Sequence, residues 1–228
     1  MKSFKALSAL LCYPTPELVE SVSDIRAVLR EERLLPPVTL GKLEPLLEQL
    51  ASVNIYELEE TYVQLFDRSR ALALNLFEHV HGESRDRGQA MVDLKALYES
   101  HGLQFGSSEL PDFLPLFLEF LSILSLDEAR LHLADAAHIV RELSERLDQR
   151  ESPYAALLGA IAELAGDTAA DVQLVQDDGV KPDDLAALDA SWEEAAVTFG
   201  PGEALDNCSR DRLAIRMRAA RRTPSAPA

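Results

Sequence analysis

The segment from Phe113 to Leu121 constrains the fold most, because it is apolar around almost its whole circumference when drawn as a helix. A helix of that kind is stable only when other elements surround it. Asp112 precedes the segment as a candidate N-cap, which would place Pro115 at the third helical position, where proline is tolerated. The chain is therefore expected to build a core with this helix inside it.

The rest of residues 1–165 predicts further helices packed around that core. Apolar residues recur at steps of three and four, as in Leu18, Val22, Ile25 and Leu29, and prolines or glycines separate the segments. No turn dipeptide stands between alternating apolar runs, so no sheet is expected. The pattern predicts an all-α fold, a single compact bundle of about eight helices joined by short loops.

Three polar or proline residues are candidate helix starts in this region. Pro16 suits the first turn of a helix, and Asn54, with Glu57 three residues on, resembles a capping box. Asp127 is the expected N-cap of a helix that runs to about Gln149 with Leu131 on its inner face.

Residues 166–228 differ from the core in composition and are expected to form an arm, partly helical or disordered. From Glu163 to Asp206 the chain has 12 acidic residues and one basic residue, Lys181, whereas six arginines follow between Asn207 and Ala228. The two parts could attract each other within the chain, or the arm could contact a partner.

The net charge of −17 makes nucleic acid an unsuitable partner, because an acidic surface repels phosphates. It suits a basic peptide better, and solubility alone is the alternative reason for such acidity. Cys12 and Cys208 are the two cysteines, too few for a disulfide framework or a zinc knuckle. The sequence predicts no signal peptide and no segment that inserts into a membrane. A cytoplasmic location is therefore expected.

His79 and His81, with Glu83 nearby, are the residues to test for a metal-dependent hydrolase. On a helix, residues two apart point in different directions, and no third ligand has a recognisable spacing. Histidines that tie a helix end to its neighbour are the structural alternative. No phosphate loop or nucleophile motif is present, so the sequence predicts no catalytic residue, no metal and no cofactor.

Two charged stretches are candidate binding elements. Glu83 to Gly88 contains four charges, which suit either a helix N-terminus or the polar rim of a groove. Glu109 and Asp112 precede the apolar helix, and they could act as capping residues or as an acidic lip that holds the Arg or Lys of a peptide.

The longest of these patterns, residues 76–94 (LFEHVHGESRDRGQAMVDL), resembles the molybdenum-cofactor assembly chaperones of respiratory nitrate reductase, the NarJ branch of the TorD-like family. Supporting stretches are residues 62–67 (YVQLFD), 109–112 (ELPD) and 149–154 (QRESPY), and the match extends from about residue 4 to 200. The resemblance implies an all-helical fold and no catalytic site. Phe113 stands where the family usually has His, which puts any role of an imidazole there in doubt.

The resemblance also implies a partner, the N-terminal segment of the nitrate reductase catalytic α subunit, a vestigial twin-arginine-like leader. The chaperone would keep the apoenzyme competent for molybdenum cofactor insertion before it docks on its membrane anchor, and cofactor-delivery proteins are further candidate partners. The expected peptide-binding residues are Tyr62, Phe66, Asp67, His79, Glu83, Arg85, Glu109, Pro111, Asp112 and Phe117. A general acidic module that works through the arm, residues 166–228, is a third hypothesis beside the chaperone and the hydrolase.

Overall fold

In the part of the chain that the structure describes, helices provide the regular secondary structure. The computed structural model describes residues 1–68, 70–81, 85–104, 106 and 109–166, with the backbone alone at 81, 85 and 86. Its α-helices are α1 (Lys2–Leu10), α2 (Pro16–Glu32), α3 (Pro37–Ser52), α4 (Ile55–Tyr62), α5 (Leu76–His81), α6 (Arg85–Ser100), α7 (Leu114–Ile123), α8 (Leu126–Asp148) and α9 (Tyr154–Leu164). The all-α prediction is confirmed, whereas the predicted arm lies outside the described residues from 167 onward.

Two short elements lie between α4 and α5. A π-helical turn, Val63–Asp67, continues α4 directly, and a 3₁₀ turn, Arg70–Leu72, follows it. In the described ranges, strand pairing is limited to one isolated antiparallel bridge between Asn75 and Phe113. That bridge joins the segment before α5 to the start of α7.

The apolar segment forms α7 and lies inside the bundle, as predicted. Helix α1 packs on α7 and on α2, while α8 runs along α9 and α9 also packs on α3. Leu114, Leu118 and Leu121 on α7 have no exposed surface. Burial of side chains such as these supplies the main favourable free energy of folding.

The predicted helix starts are partly right. Pro16 opens α2, with the Thr15 hydroxyl accepting a hydrogen bond from the Leu18 amide, and the Asn54 side chain accepts one from Tyr56. Asp127 is wrong as a cap, because Ser125 caps α8 in a reciprocal capping box with Glu128. The cap of α8 is thus two residues earlier than predicted. Leu131 was predicted on the inner face of this helix, but it is 69% exposed.

Asp112 is also wrong as the N-cap of α7. Phe113 occupies the N-cap position without a side-chain hydrogen bond, and Pro115 falls within the first two helical positions. Asp112 instead turns toward α5, where its carboxylate accepts a hydrogen bond from the Phe77 amide. A carboxylate at that position stabilises the first turn of α5, because it accepts a hydrogen bond from a backbone N–H at the start of the helix.

Candidate peptide-binding surface

An aromatic cluster, defined here as Tyr13, Tyr62, Phe66 and Tyr154, lies where α1, α4 and α9 meet. The ring of Tyr62 is 4.9 Å from that of Phe66 and 5.6 Å from that of Tyr13, and Phe66 is 5.2 Å from Tyr154 in an edge-on arrangement. Ring pairs at such separations stabilise one another beyond simple burial. Three members are buried, but Tyr13 is 43% exposed, so the cluster reaches solvent through that ring.

Tyr62 fixes α4 against the end of α1. Its hydroxyl donates a 2.8 Å hydrogen bond to the Leu11 carbonyl, one of the orphan groups that a helix end leaves. Burial is the main cause that raises the pKa of the Tyr62 phenol, with smaller effects from groups that include Asp67 and Glu109. The phenol therefore stays protonated and acts as a donor.

The π-helical turn places Phe66 and Asp67 relative to Tyr62. The Arg68 amide donates to the Val63 carbonyl five residues earlier, at 3.2 Å, which widens the turn by one residue. Phe66 on this turn points into the cluster, whereas Asp67 is exposed. Such wide turns occur frequently at functional sites, where they re-aim side chains.

Three carboxylates, Glu59, Asp67 and Glu109, form what we call the acidic rim. Glu59 and Asp67 act on Tyr13, and Glu109 acts on its neighbours Tyr62 and Cys12. The pKa of the Tyr13 phenol is raised, mainly by partial burial and then by the negative charges of Glu59 and Asp67. Asp67 and Glu109 are exposed, and Glu59 is half-buried. Leu110, next to Glu109, is 47% exposed and adds an apolar contact. This surface combines negative charge with exposed aromatic and aliphatic groups.

Cys12 is a free cysteine beside this surface. Its thiol donates to the Ser8 carbonyl at 3.5 Å. Burial, and then the negative charges of Glu119 and Glu109, raise the pKa of the thiol to about 11. The group therefore stays protonated near neutral pH, and a protonated thiol is a poor nucleophile.

Asp112 belongs to a buried polar framework, defined here as Asp112, His79, Arg146 and Tyr98. One Asp112 oxygen accepts from the Phe77 amide at 3.0 Å and the other from the Asn75 side chain at 3.2 Å. Asp112 has no exposed surface. Its carboxylate therefore holds the segment before α5 against the start of α7 and does not face solvent.

His79 and Arg146 hold the same segment through its backbone carbonyls. The His79 Nε2 lies 2.7 Å from the Ala73 carbonyl, and Arg146 donates to the Ala71 carbonyl at 2.9 Å. Burial lowers the pKa of His79, and the nearby Arg146 lowers it further, while the Ala73 bond raises it. His79 thus ties α5 to the neighbouring segment. This is the structural role that the sequence analysis gave as the alternative to metal binding.

Tyr98 completes the framework next to Pro111. Its hydroxyl donates a 2.8 Å hydrogen bond to the Pro111 carbonyl, and its ring packs on Phe120 at 4.8 Å. Pro111 is buried, and so is Phe117, which is 5% exposed. Both residues therefore shape the loop and helix behind the surface.

The predicted site residues fall into three groups. Asp67 and Glu109 are exposed, whereas Tyr62, Phe66, His79, Pro111, Asp112 and Phe117 are buried behind the surface. Glu83 and the Arg85 side chain lie outside the described residues. Sequence reasoning missed Tyr13, Glu59 and Leu110, although an aromatic residue in the Tyr13-Pro14 turn just after α1 was a usable signal.

The metal hypothesis gains no support from the described part of the chain. No group of three His, Cys, Asp or Glu residues there could hold a metal ion, although His81 and Glu83 are not among the side chains described. In the same ranges, no helix combines the length and apolar character needed to cross a membrane.

Comparisons with known proteins agree on the family. The model of the family described as nitrate reductase delta subunit matches residues 33–159. The chain is 46% identical, over 85% of its length and 83% of the relative, to the nitrate reductase molybdenum cofactor assembly chaperone NarJ of Escherichia coli K12. It is 42% identical, over 87% of its length and 84% of the relative, to NarW of the same strain, named for the same role.

A solved structure shares the fold. A protein from Archaeoglobus fulgidus described as a redox enzyme maturation protein aligns with a TM-score of 0.54, covering 73% of this chain and 94% of that one at 22% identity. The relatives are named as assembly chaperones and not as catalysts, in agreement with the expected lack of enzymatic activity. The chain is similar in sequence to these chaperone relatives over most of their length, and it belongs to the nitrate reductase delta subunit family.

Proposed function

We propose that this chain is an assembly chaperone of respiratory nitrate reductase that binds the N-terminal segment of the catalytic α subunit. The observation that carries the proposal is the 46% identity, over most of both chains, to a protein named as a nitrate reductase molybdenum cofactor assembly chaperone. The chaperone keeps the apoenzyme competent for insertion of the molybdenum cofactor before membrane docking. It works in the cytoplasm and supplies no catalytic group.

The surface beside Tyr13 supports the choice of a basic, amphipathic peptide. Tyr13 offers a partly exposed aromatic ring, a group that can attract the guanidinium of an arginine, and the acidic rim offers carboxylates for the same group. Leu110 offers an apolar contact beside them. A twin-arginine-like leader carries both kinds of group, so its chemistry is complementary to this surface.

The binding free energy is expected to come mainly from apolar contact. Burial of about 500 Å² of apolar surface contributes on the order of 12 kcal/mol before the cost of ordering the peptide is subtracted. Much of that gain is offset because the segment must fold on binding. Micromolar to nanomolar dissociation constants are therefore expected.

Calorimetry with a synthetic peptide of the α-subunit N-terminus tests the proposal. The full chain should bind it, and Tyr13→Ala should weaken binding by about tenfold through loss of one aromatic contact. Tyr56→Ala is the matched control, since Tyr56 is 76% exposed on α4 and not part of the aromatic cluster. No binding at high micromolar concentration, with circular dichroism showing a folded chain, would contradict the proposal.

Co-purification tests the same proposal with the whole partner. The α subunit should be retained by the tagged full chain, and deletion of the first few tens of residues of the α subunit should abolish retention. Equal retention of the truncated subunit would place recognition elsewhere on the partner.

A further inference from the structure

A cleft of about 670 Å³ lies between the end of α2 and the start of α3, at the opposite end of α2 from Tyr13. Its apolar lining includes Leu34, Pro36 and Leu40. Leu34 and Leu40 are half-buried and Pro36 is exposed, so the cleft is open to solvent. Val38, at the start of α3 next to this lining, is 72% exposed. Apolar groups thus remain clustered in contact with water here, and such clusters are typical of interaction sites.

The loop that forms one wall of the cleft is held in place by burial and by proline. It comprises residues 33–36, between the end of α2 and the start of α3, and Leu35 within it is only 3% exposed. Pro36 adopts a φ of −62°, the value that its ring imposes, and Pro37 follows it as the first residue of α3. A preformed apolar surface loses little conformational freedom when a ligand covers it, which favours binding.

Positive charge prevails at the edge of the cleft. Its charged lining consists of two arginines, Arg30 and Arg33, and one carboxylate, Glu44. Glu44 already accepts from Arg26 at 2.9 Å and from Arg30 at 2.7 Å. Arg33 is exposed and has no ion pair with any described residue. The cleft therefore retains a local excess of cationic groups in a protein whose net charge is −17.

The backbone of Arg33 is strained. Arg33 ends α2 in the left-handed conformation, with φ 56° and ψ 30°. Glycine is the usual residue at such a position, because a residue with a Cβ atom adopts positive φ at a steric cost. An arginine here makes the fold less stable than glycine would, but it places a guanidinium at the cleft. Strain of this kind clusters at functional sites, which supports a binding role for Arg33.

We propose that the cleft between α2 and α3 binds an acidic amphipathic helix of a partner protein. Carboxylates of that helix pair with Arg30 and Arg33 through charge-assisted hydrogen bonds, and its apolar face covers the apolar lining. Charge complementarity selects an acidic partner, because Arg33 has no described counter-ion and Glu44 is already bonded twice. This surface differs from the peptide-binding one, so either proposal can fail without the other.

Fluorescence anisotropy with the full chain tests this proposal. The probe is a labelled helical peptide of about 15 residues, with leucines on one face and glutamates on the other. It should bind, and an excess of the α-subunit N-terminal peptide should not displace it. A scrambled peptide of the same composition, which has no leucine face, should bind about fivefold more weakly. Displacement by the α-subunit peptide, or equal affinity for the scrambled peptide, would overturn the proposal.

Substitutions of Arg33 test the charged contact. Arg33→Gly should weaken binding of the probe about fivefold and should unfold at the same or a higher urea concentration, since glycine adopts a φ of 56° without strain. Arg33→Lys, which keeps the charge, should retain most of the affinity. Arg130→Gln removes an exposed positive charge on α8 and should bind like the wild type. Unchanged affinity in Arg33→Gly, an equal loss in Arg130→Gln, or no binding of the probe to the folded chain would overturn the proposal.

Sedimentation velocity distinguishes a partner protein from a second copy of this chain. The wild type and Arg33→Gly should sediment as the same species if the cleft serves a different protein. A dimer that Arg33→Gly abolishes would assign the cleft to a second copy and would overturn the proposal.

Discussion

The aromatic cluster and the buried polar framework have opposite relations to solvent. The cluster opens to water at Tyr13, next to carboxylates that remain exposed. The framework is closed, and its side chains bond to backbone groups of residues 71–77 and to the Pro111 carbonyl. The predicted site residues therefore divide into two groups. Some contribute to an exposed surface, and the others hold the segments behind that surface in place.

This difference teaches how to interpret charged residues near a candidate site. A buried carboxylate such as Asp112 is retained because the Phe77 amide and the Asn75 side chain satisfy it. An exposed carboxylate such as Asp67 can be solvated by water, so it does not need a hydrogen-bond partner within the protein. A ligand can replace that water. We therefore expect substitutions in the framework to change stability and substitutions in the rim to change affinity.

The largest effect is expected from Phe66→Ala, because Phe66 is 5% exposed and touches two other rings. The cavity should lower the free energy of unfolding by about 3–5 kcal/mol, measured by urea denaturation. Phe66→Leu, which keeps most of the volume, should cost less than half as much. Equal losses for the two variants would mean that the ring does not fill the cluster as described.

Asp112→Ala should lower the free energy of unfolding by about 3 kcal/mol, because it leaves the Phe77 amide and the Asn75 side chain without their acceptor. Asp112→Asn retains one acceptor oxygen and should cost less. If Asp112→Ala instead unfolds at the wild-type urea concentration but no longer binds the peptide, Asp112 acts at the binding surface and not in the framework.

The double variant Asp67→Asn/Glu109→Gln should lower peptide affinity and leave the stability of the fold almost unchanged. Peptide affinity should fall about tenfold at low salt and less at high salt, since charged contacts at a rim are screened. The free energy of unfolding should change by less than about 0.5 kcal/mol. Calorimetry and urea denaturation measure the two quantities.

Glu31→Gln is the control for that double variant. It also removes an exposed negative charge, but Glu31 lies at the far end of α2, about 20 Å along the helix from its start near Tyr13. A loss of affinity as large for Glu31→Gln as for the rim variant would show that net charge, and not the rim, attracts the peptide.

The smallest expected effect is the part of the stability loss at acidic pH that is caused by protonation of His79. Because the folded-state pKa of His79 is lowered mainly by burial, the folded protein binds its proton less readily than the unfolded chain. The resulting stability is present above the unfolded pKa of about 6.5 and is lost as pH falls below it. Arg146, Glu78 and Asp112 are the charged groups that act on this histidine.

His79→Gln should therefore lose less stability than the wild type between neutral and mildly acidic pH. Urea denaturation at both pH values measures this difference, and the shared carboxylate contributions cancel in it. An identical loss in both proteins would show that His79 is not the residue responsible.

The helical core could be predicted from sequence because its signals are local. Periodic apolar residues and the caps at Thr15-Pro16 and Asn54 depend on a few neighbouring positions. The failures at Asp112 and Asp127 are choices between adjacent capping residues, and tertiary packing decides them. Ser125 caps α8 because Glu128 is placed to complete the capping box. Asp112 turns toward α5 because it accepts a hydrogen bond from the Asn75 side chain, 37 residues earlier.

The candidate site was harder to predict because exposure is a property of the assembled bundle. No local pattern distinguishes the buried Asp112 from the exposed Asp67. Tyr13 was missed since its role depends on Tyr62, 49 positions later, whose ring packs against it.

The π-helical turn after α4 makes this chain sensitive to changes of length at one place. Deletion of a single residue from Val63–Asp67 would restore regular α-helix and rotate everything that follows by about 100° relative to α4. Asp67 would leave the rim, and the 3₁₀ turn that meets Arg146 would be displaced. Related chains that differ in length should therefore vary in their other loops and keep the residue count here.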